Sequence, residues 1–270
     1  MCYYKTTKIP GTKQIQLNYL EKDLDDHKIP FKQLEIGFDY APSPVLKPIG
    51  GKEDFDIVAM EWGFIPNFLH NRVAVEKFRK GYKDEKGVFQ MPITTLNAKA
   101  ENLFTNEKGR KSMWADAASS RRCLALAAGF FEWRHVYGIN KKTGQPLKTA
   151  KKYPYFISLK DRPYFYMAAI WNEWVDQETG ETVDTFAITT TEANSIMRQI
   201  HNSKMRMPTI LPDELAFKWM FGSLSKEEIS TIAATQIPSS EMQAYTIATD
   251  FTTAVDPLER REYEIAGLEG

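Results

Sequence analysis

Two reactive groups meet at one residue near the start of this chain. Cys2 follows Met1, and loss of an initiator methionine before so small a residue leaves a primary amine and a thiol on adjacent carbons. Such a 1,2-aminothiol reacts twice with an aldehyde. The amine condenses to an imine, then the thiol adds to the imine carbon and closes a five-membered thiazolidine, which resists hydrolysis better than the open imine. Both groups ionise within reach of neutrality, the α-amine near ~8 and the thiol near ~8.5. The plain alternative is a frayed terminus on which residue 2 does nothing.

Three further residues have side chains suited to assist. Glu132 stands between aromatics in Gly129-Phe130-Phe131-Glu132-Trp133-Arg134, where loss of solvent raises a carboxyl pKa and lets it shuttle protons at neutral pH; alone, it reads as one exposed position on an alternating strand. Asn97, in Thr95-Leu96-Asn97-Ala98-Lys99-Ala100-Glu101, reads alone as a turn residue. His201, between a helix-like segment and the stretch ending at Pro208, offers an imidazole as acid or base, or a merely structural ring. The remaining histidines, His27, His70 and His135, and the second cysteine, Cys123, do not share a metal-ligand spacing with them. No metal or cofactor is expected.

For binding, Lys141, Lys142, Lys148, Lys151 and Lys152 fall in one acid-free stretch, and Trp62-Gly63-Phe64-Ile65-Pro66 places rings beside a turn. Together they suit a nucleic-acid backbone and its bases; separately they read as a solvated hairpin and a piece of core. With 35 basic and 35 acidic residues, the overall field attracts no polyanion, so any such surface must be local.

These residues need a rigid frame, and the chain has the material for it: 270 residues, 43% hydrophobic and 13% aromatic. Leu17, Leu20 and Leu24 predict an amphipathic helix over residues 12–28. The runs Phe55 to Phe64, Arg122 to Arg134, Tyr153 to Leu159, Tyr164 to Trp174 and Thr185 to Thr190 predict strands, with hairpin turns at Gly144 and Gly180. Asp213 to Phe221 and Ser225 to Thr235 predict helices, the second opened by a Ser225–Glu228 capping box. With no repeat or long linker, this is one α+β domain, rich in twisted barrel-like sheet and flanked by a few helices. No signal-like segment and no run of ~18 apolar residues occurs, which points to a cytoplasmic protein that is not membrane-bound, expected to be a monomer.

Taken together, Met1-Cys2, Asp39-Tyr40-Ala41-Pro42, Trp62-Gly63-Phe64-Ile65-Pro66, Asn97-Ala98-Lys99-Ala100-Glu101, Gly129-Phe130-Phe131-Glu132-Trp133, Met167-Ala168-Ala169-Ile170-Trp171, Thr189-Thr190 and His201 with Arg206-Met207-Pro208 resemble the SOS response-associated peptidase (SRAP) family of abasic-site processing proteins. The resemblance spans most of residues 1–270 and implies a single SRAP-like domain. It implies that Cys2 forms a thiazolidine crosslink to the opened sugar of an abasic site in single-stranded DNA, protecting the lesion during the DNA damage response. In that scheme Asn97 orients the cysteine amine, Glu132 assists proton transfers, and His201 helps open the sugar ring. Autoproteolytic loss of Met1 and a weak lyase activity belong to the same picture. Lys99, Thr190, Trp62, Phe64 and either Lys204 or Arg206 carry over as DNA contacts.

The chain also departs from the family pattern. Tyr3 and Tyr4 follow Cys2 where the family continues Gly-Arg, so a ring replaces a phosphate-binding arginine. Four residues separate His201 from Arg206 where the family has one. The stretch 141–152 is longer than the family needs, and either enlarges the DNA groove or is inert. Two other readings stand beside the first: a Cys2-dependent thiol peptidase or hydrolase using His201 and Asn97, and a single-stranded DNA-binding module without chemistry.

Overall fold

In a computed structural model, which describes residues 2–24, 29 and 31–268, the chain builds two main sheets. The first half contributes β1 (Tyr4–Thr6), β2 (Gln14–Leu17), β3 (Leu20–Asp23), β4 (Glu35–Ile36), β5 (Pro42–Pro48), β6 (Phe55–Trp62), helix α1 (Arg72–Lys80), the short β7 (Tyr82–Lys83) and β8 (Phe89–Gln90), and β9 (Asn97–Lys99). Next come α2 (Ala115–Ser120), β10 (Arg122–Ala127), β11 (Gly129–Ile139), β12 (Pro146–Leu159), β13 (Phe165–Val175) and β14 (Thr182–Glu192). The chain finishes with α3 (Ser195–Ile200), β15 (Arg206–Pro208), β16 (Ile210–Leu211), α4 (Asp213–Phe221), α5 (Lys226–Ala233) and β17 (Met242–Thr246).

One sheet closes on itself: β5 pairs with β6, β6 with β14, β14 with β13, β13 with β10, and β10 with β5. Closure leaves these strands no open edge. The second sheet runs β17-β12-β11-β1-β4. Strand β10, buried at every residue, shows how the closed wall serves two cores. Leu124 and Leu126 face a core shared with α2, α4 and α5, whereas Cys123, Ala125 and Ala127 face a second core shared with Cys2, Phe130, Ile157 and α3. Alternation with a period of two sorts them.

The α+β barrel-like reading holds, as do the hairpins at Gly144 and Gly180 and the two late helices. The Ser225 hydroxyl accepts from the Glu228 amide at 3.2 Å while the Glu228 carboxylate accepts from the Ser225 amide at 2.9 Å, completing the capping box. Two expectations are corrected. Residues 14–23 form a hairpin, not a helix: Leu17 pairs with Leu20 across a two-residue turn, with Asn18 at φ 53°, a conformation such turns need and asparagine tolerates. The leucine spacing suited both structures; residues 25–28 of the expected helix lie outside the described residues. The run Arg122 to Arg134 is two strands in different sheets. At the switch, a side chain on Gly129 would meet the Phe156 ring at 2.2 Å on the neighbouring strand β12, so glycine leaves room for that ring to lie across the start of β11.

Candidate active site

Strand β1 anchors the N-terminal segment through an unusual residue for a core, Lys5, which is fully buried. Its ammonium lies 2.7 Å from Glu35, donates to Ser43 Oγ at 2.8 Å and donates to the Leu126 carbonyl at 3.1 Å. Glu35 also accepts from Thr7 at 2.8 Å and from Ser43 at 2.7 Å. A buried charge is tolerable when paired and hydrogen-bonded in this way. Pairing of Lys5 with Phe130 and Thr6 with Gly129 sets β1 beside the start of β11, and so fixes where the residues before β1 lie.

Cys2 is completely enclosed. Its thiol donates to the Tyr4 carbonyl at 3.8 Å, and its carbonyl accepts from Asn97 Nδ2 at 2.9 Å. Asn97 is a strand residue, not a turn residue: parallel pairing sets it opposite Ile188 of β14. Asn97 Oδ1 is buried with no hydrogen-bond partner among the described residues, a costly state for an amide acceptor and one that a nearby N–H donor would relieve.

Glu132 and His201 complete the group. Glu132 is 4% exposed, contrary to the exposed-strand alternative, and burial pushes its pKa up to about 7. Its charge reaches Cys2, whose thiol is pushed up to about 12, chiefly by burial and next by Glu132. His201 caps α3, and its Nδ1 lies 2.8 Å from the Arg206 carbonyl. Burial drives its pKa down to about 4, so at neutral pH the ring is neutral, Nδ1–H donates to that carbonyl, and Nε2 carries the lone pair. Nδ1 and the Glu132 carboxylate stand 3.6 Å apart, beyond hydrogen-bonding distance. With the histidine neutral they are neighbours, not an ion pair.

The longer separation of His201 from Arg206 is taken up in a tight turn, in which the Met205 amide donates to the His201 carbonyl at 2.8 Å and Met205 adopts φ 51°. Asn202, in that turn, ties it to β11 by accepting from the His135 amide at 3.0 Å and donating to the His135 carbonyl at 2.8 Å. β1 stops pairing at Phe130, so this side-chain amide serves the strand further along. Glu132, His201, Tyr3 and Phe38 line a cavity of about 430 Å³ together with Trp133, His135 and Lys152. Two larger depressions, about 570 and 740 Å³, lie near Phe104 and Ser230 and include none of these four groups.

The expected DNA contacts divide. Trp62 and Phe64 are 1% and 3% exposed, so neither presents an open ring face, as the core alternative expects. Trp62 Nε1 instead donates to the Leu96 carbonyl at 3.0 Å, pinning the residue next to Asn97, and Phe64 packs edge-on against Trp114 at 5.0 Å. Thr190 is fully buried. Arg206 is committed to Glu101 at 2.8 and 3.0 Å and to the Thr190 carbonyl at 2.6 Å. Lys99 pairs with Glu107 at 2.8 Å but remains half-exposed, and Lys204 is exposed. Tyr4 packs against Trp133 at 5.0 Å. Sequence reasoning missed the Lys5–Glu35 network, since a charged residue in a short strand carries no signal of burial, and missed Asn202, although it adjoins His201.

The barrel-like domain brings the four residues near one another: Asn97 donates to the Cys2 carbonyl, and Glu132, whose charge reaches Cys2, lines one cavity with His201. The chain belongs to the SRAP family: the family model described as SOS response associated peptidase matches residues 9–254. That span includes Asn97, Glu132 and His201 and begins after Cys2. The chain is similar to abasic site processing protein YoqW of Bacillus subtilis (strain 168), at 27% identity over 83% of this chain and 84% of that one. It is also similar to abasic site processing protein YedK of Escherichia coli (strain K12), at 28% identity over 88% of each. Among solved structures, a protein from Bacteroides thetaiotaomicron superposes with a TM-score of 0.64 at 31% identity, over 85% of both chains. No helix among the described residues is long and apolar enough to cross a membrane.

Proposed function

We propose that this protein processes abasic sites in single-stranded DNA by forming a thiazolidine crosslink through Cys2 once Met1, which lies outside the described residues, has been removed. The observation that carries the reading is the buried convergence of Cys2, held by Asn97, with a carboxyl poised near neutrality and a neutral imidazole beside it. The names of the relatives point to the same lesion.

The chemistry balances with the groups present. His201 Nε2 accepts the proton of the sugar's anomeric hydroxyl as the ring opens to the aldehyde, and the ring oxygen takes a proton in return. The Cys2 amine adds to the aldehyde carbon. Glu132 relays the amine's proton to the resulting hydroxyl, which leaves as water and gives the imine. The thiol then adds across the C=N bond: sulfur bonds to carbon, and the thiol proton ends on the ring nitrogen. A thiol with its pKa near 12 is unsuited to a hydrolase that must start as thiolate, but suits addition to an electrophile already tethered to its own residue. Asn97 Oδ1 supplies an acceptor for the amine. Single strands are favoured because an enclosed terminus reaches a sugar carbon more easily without a partner strand.

Intact-mass measurement of the Met1-free protein after incubation with a single-stranded oligonucleotide bearing one abasic site tests this. The expected result is a gain of the oligonucleotide mass less one water, absent with Cys2→Ala and weaker on duplex. Cleavage of peptides with a Cys2-dependent burst, and no adduct, would instead establish the hydrolase; reversible binding unchanged in Cys2→Ala would establish the passive binder.

A further inference from the structure

The hairpin of β11 and β12 starts in the cavity wall and runs outward, and its sequence is unlike the rest of the chain. From His135 to Lys152 there is no acidic residue, and Lys141, Lys142, Lys148 and Lys151 are all exposed. Register sorts the side chains. Trp133 pairs with Pro154, His135 with Lys152 and Tyr137 with Ala150, so residues 133, 135 and 137 of β11 share a face with 150, 152 and 154 of β12; beyond Ala150 the register shifts, and Ile139 meets Pro146. That face is continuous with the cavity, since Trp133, His135 and Lys152 line it. Further out it carries Tyr137, 52% exposed, and the exposed Lys148 follows in the register-shifted tip. Rings at every second position on one strand, with ammonium groups beside them on the next, are what a single-stranded nucleic acid needs: stacking faces for bases and cations for phosphates.

We infer that this hairpin is an arm that binds the single strand flanking the lesion, with Tyr137 stacking a base and Lys141, Lys142 and Lys148 meeting phosphates. The inference rests on the reading of the cavity as the abasic-site pocket. From Lys152 to Pro146, at ~3.3 Å per residue, the arm extends about 20 Å, the length of several nucleotides. A charge-balanced protein thereby acquires a local cationic track where the substrate leaves the pocket.

The test compares the full-length protein with a Lys141→Ala/Lys142→Ala/Lys148→Ala variant on two probes: an abasic oligonucleotide of about four nucleotides, too short to reach the arm, and one of about twenty. The wild type is expected to bind the long probe more tightly and with a steeper salt dependence. The variant should lose about 2 from the log–log salt slope on the long probe, at about 0.7 per cation, and should react with the short probe as the wild type does. Lysine-to-arginine changes at the same positions should preserve the slope, and Tyr137→Ala should weaken long-probe binding roughly tenfold. An unchanged slope and affinity on the long probe in the alanine variant would overturn the inference. If the wild type captures neither probe but its binding of the long one falls with the lysines, the arm stands and the crosslinking proposal fails; the two failures are therefore distinguishable.

Discussion

Lys5 and Cys2 stand three positions apart in the sequence, both wholly buried, yet their surroundings differ in kind. Lys5 sits in a closed network in which ammonium, carboxylate and hydroxyls satisfy one another. Around Cys2, one side of the Asn97 amide is used and the other has no partner among the described residues, and the nearby carboxyl and imidazole are both pushed toward their neutral forms by burial. The first arrangement spends its polar groups on holding a strand in place. The second sets a buried amide acceptor, Asn97 Oδ1, beside a carboxyl and an imidazole that burial holds near their neutral forms. Burial of polar groups alone therefore does not single out a candidate site; perturbed ionisation beside a cavity does.

The largest expected effects separate the two regions outright. Cys2→Ala should abolish the DNA adduct while changing unfolding free energy by only about 1 kcal/mol, whereas Lys5→Met should cost about 3–5 kcal/mol by leaving Glu35 buried without its cation. Denaturant unfolding beside the adduct assay reads both. If Lys5→Met proved as stable as the wild type, the buried ion pair would not be the anchor of β1.

Glu132→Gln should slow adduct formation by about 10²–10⁴-fold, and it carries a pH signature. Glu132 is raised from 4.5 to about 7 in the folded chain, so the native state binds the proton more tightly. Its contribution to stability is complete below 4.5 and lost as pH rises through about 7, worth about 3 kcal/mol. His201 is lowered from 6.5 to about 4, so its contribution is complete above 6.5 and lost as pH falls through about 4. The two offset each other in the shared window. Glu132→Gln should therefore be more stable than wild type at pH 8 and should steepen the loss of stability on acidification below 6.5. Urea unfolding across that range checks the sign, and a variant destabilised at pH 8 would contradict it.

Asn202→Ala should have a smaller effect. Losing its two bonds to the His135 backbone is expected to cost about 1–3 kcal/mol and, by loosening the His201 turn, to slow adduct formation by about tenfold while leaving the affinity for undamaged DNA unchanged. A binding defect without a rate defect would show that Asn202 serves the DNA surface and not the imidazole.

Much of the frame was legible because long strands announce themselves. β12 to β14 and the turns at Gly144 and Gly180 follow from alternation and turn chemistry, and the capping box at Ser225 marks α5 to the residue. The segment Gln14 to Asp23 was not, because three leucines at helical spacing also satisfy a short hairpin, and only the Asn18 turn decides between them. Cys2, Asn97, Glu132 and His201 were found as types suited to one reaction, and the fold brings them together. Trp62 and Phe64, expected to meet DNA, are buried, because a ring beside a turn looks the same in sequence whether its face is open or covered. Arg206 looked like a phosphate ligand because its partners Glu101 and Thr190 are distant in the chain. What local pattern cannot encode is which polar group tertiary contact will satisfy.

The most direct test is to map the crosslink itself. After reaction with an abasic single strand, nuclease and protease digestion followed by mass spectrometry of the N-terminal peptide should place the sugar on Cys2, less one water, with the thiol no longer open to alkylation. A sugar attached through a lysine, or through the Cys2 amine with the thiol still alkylatable, would contradict thiazolidine capture.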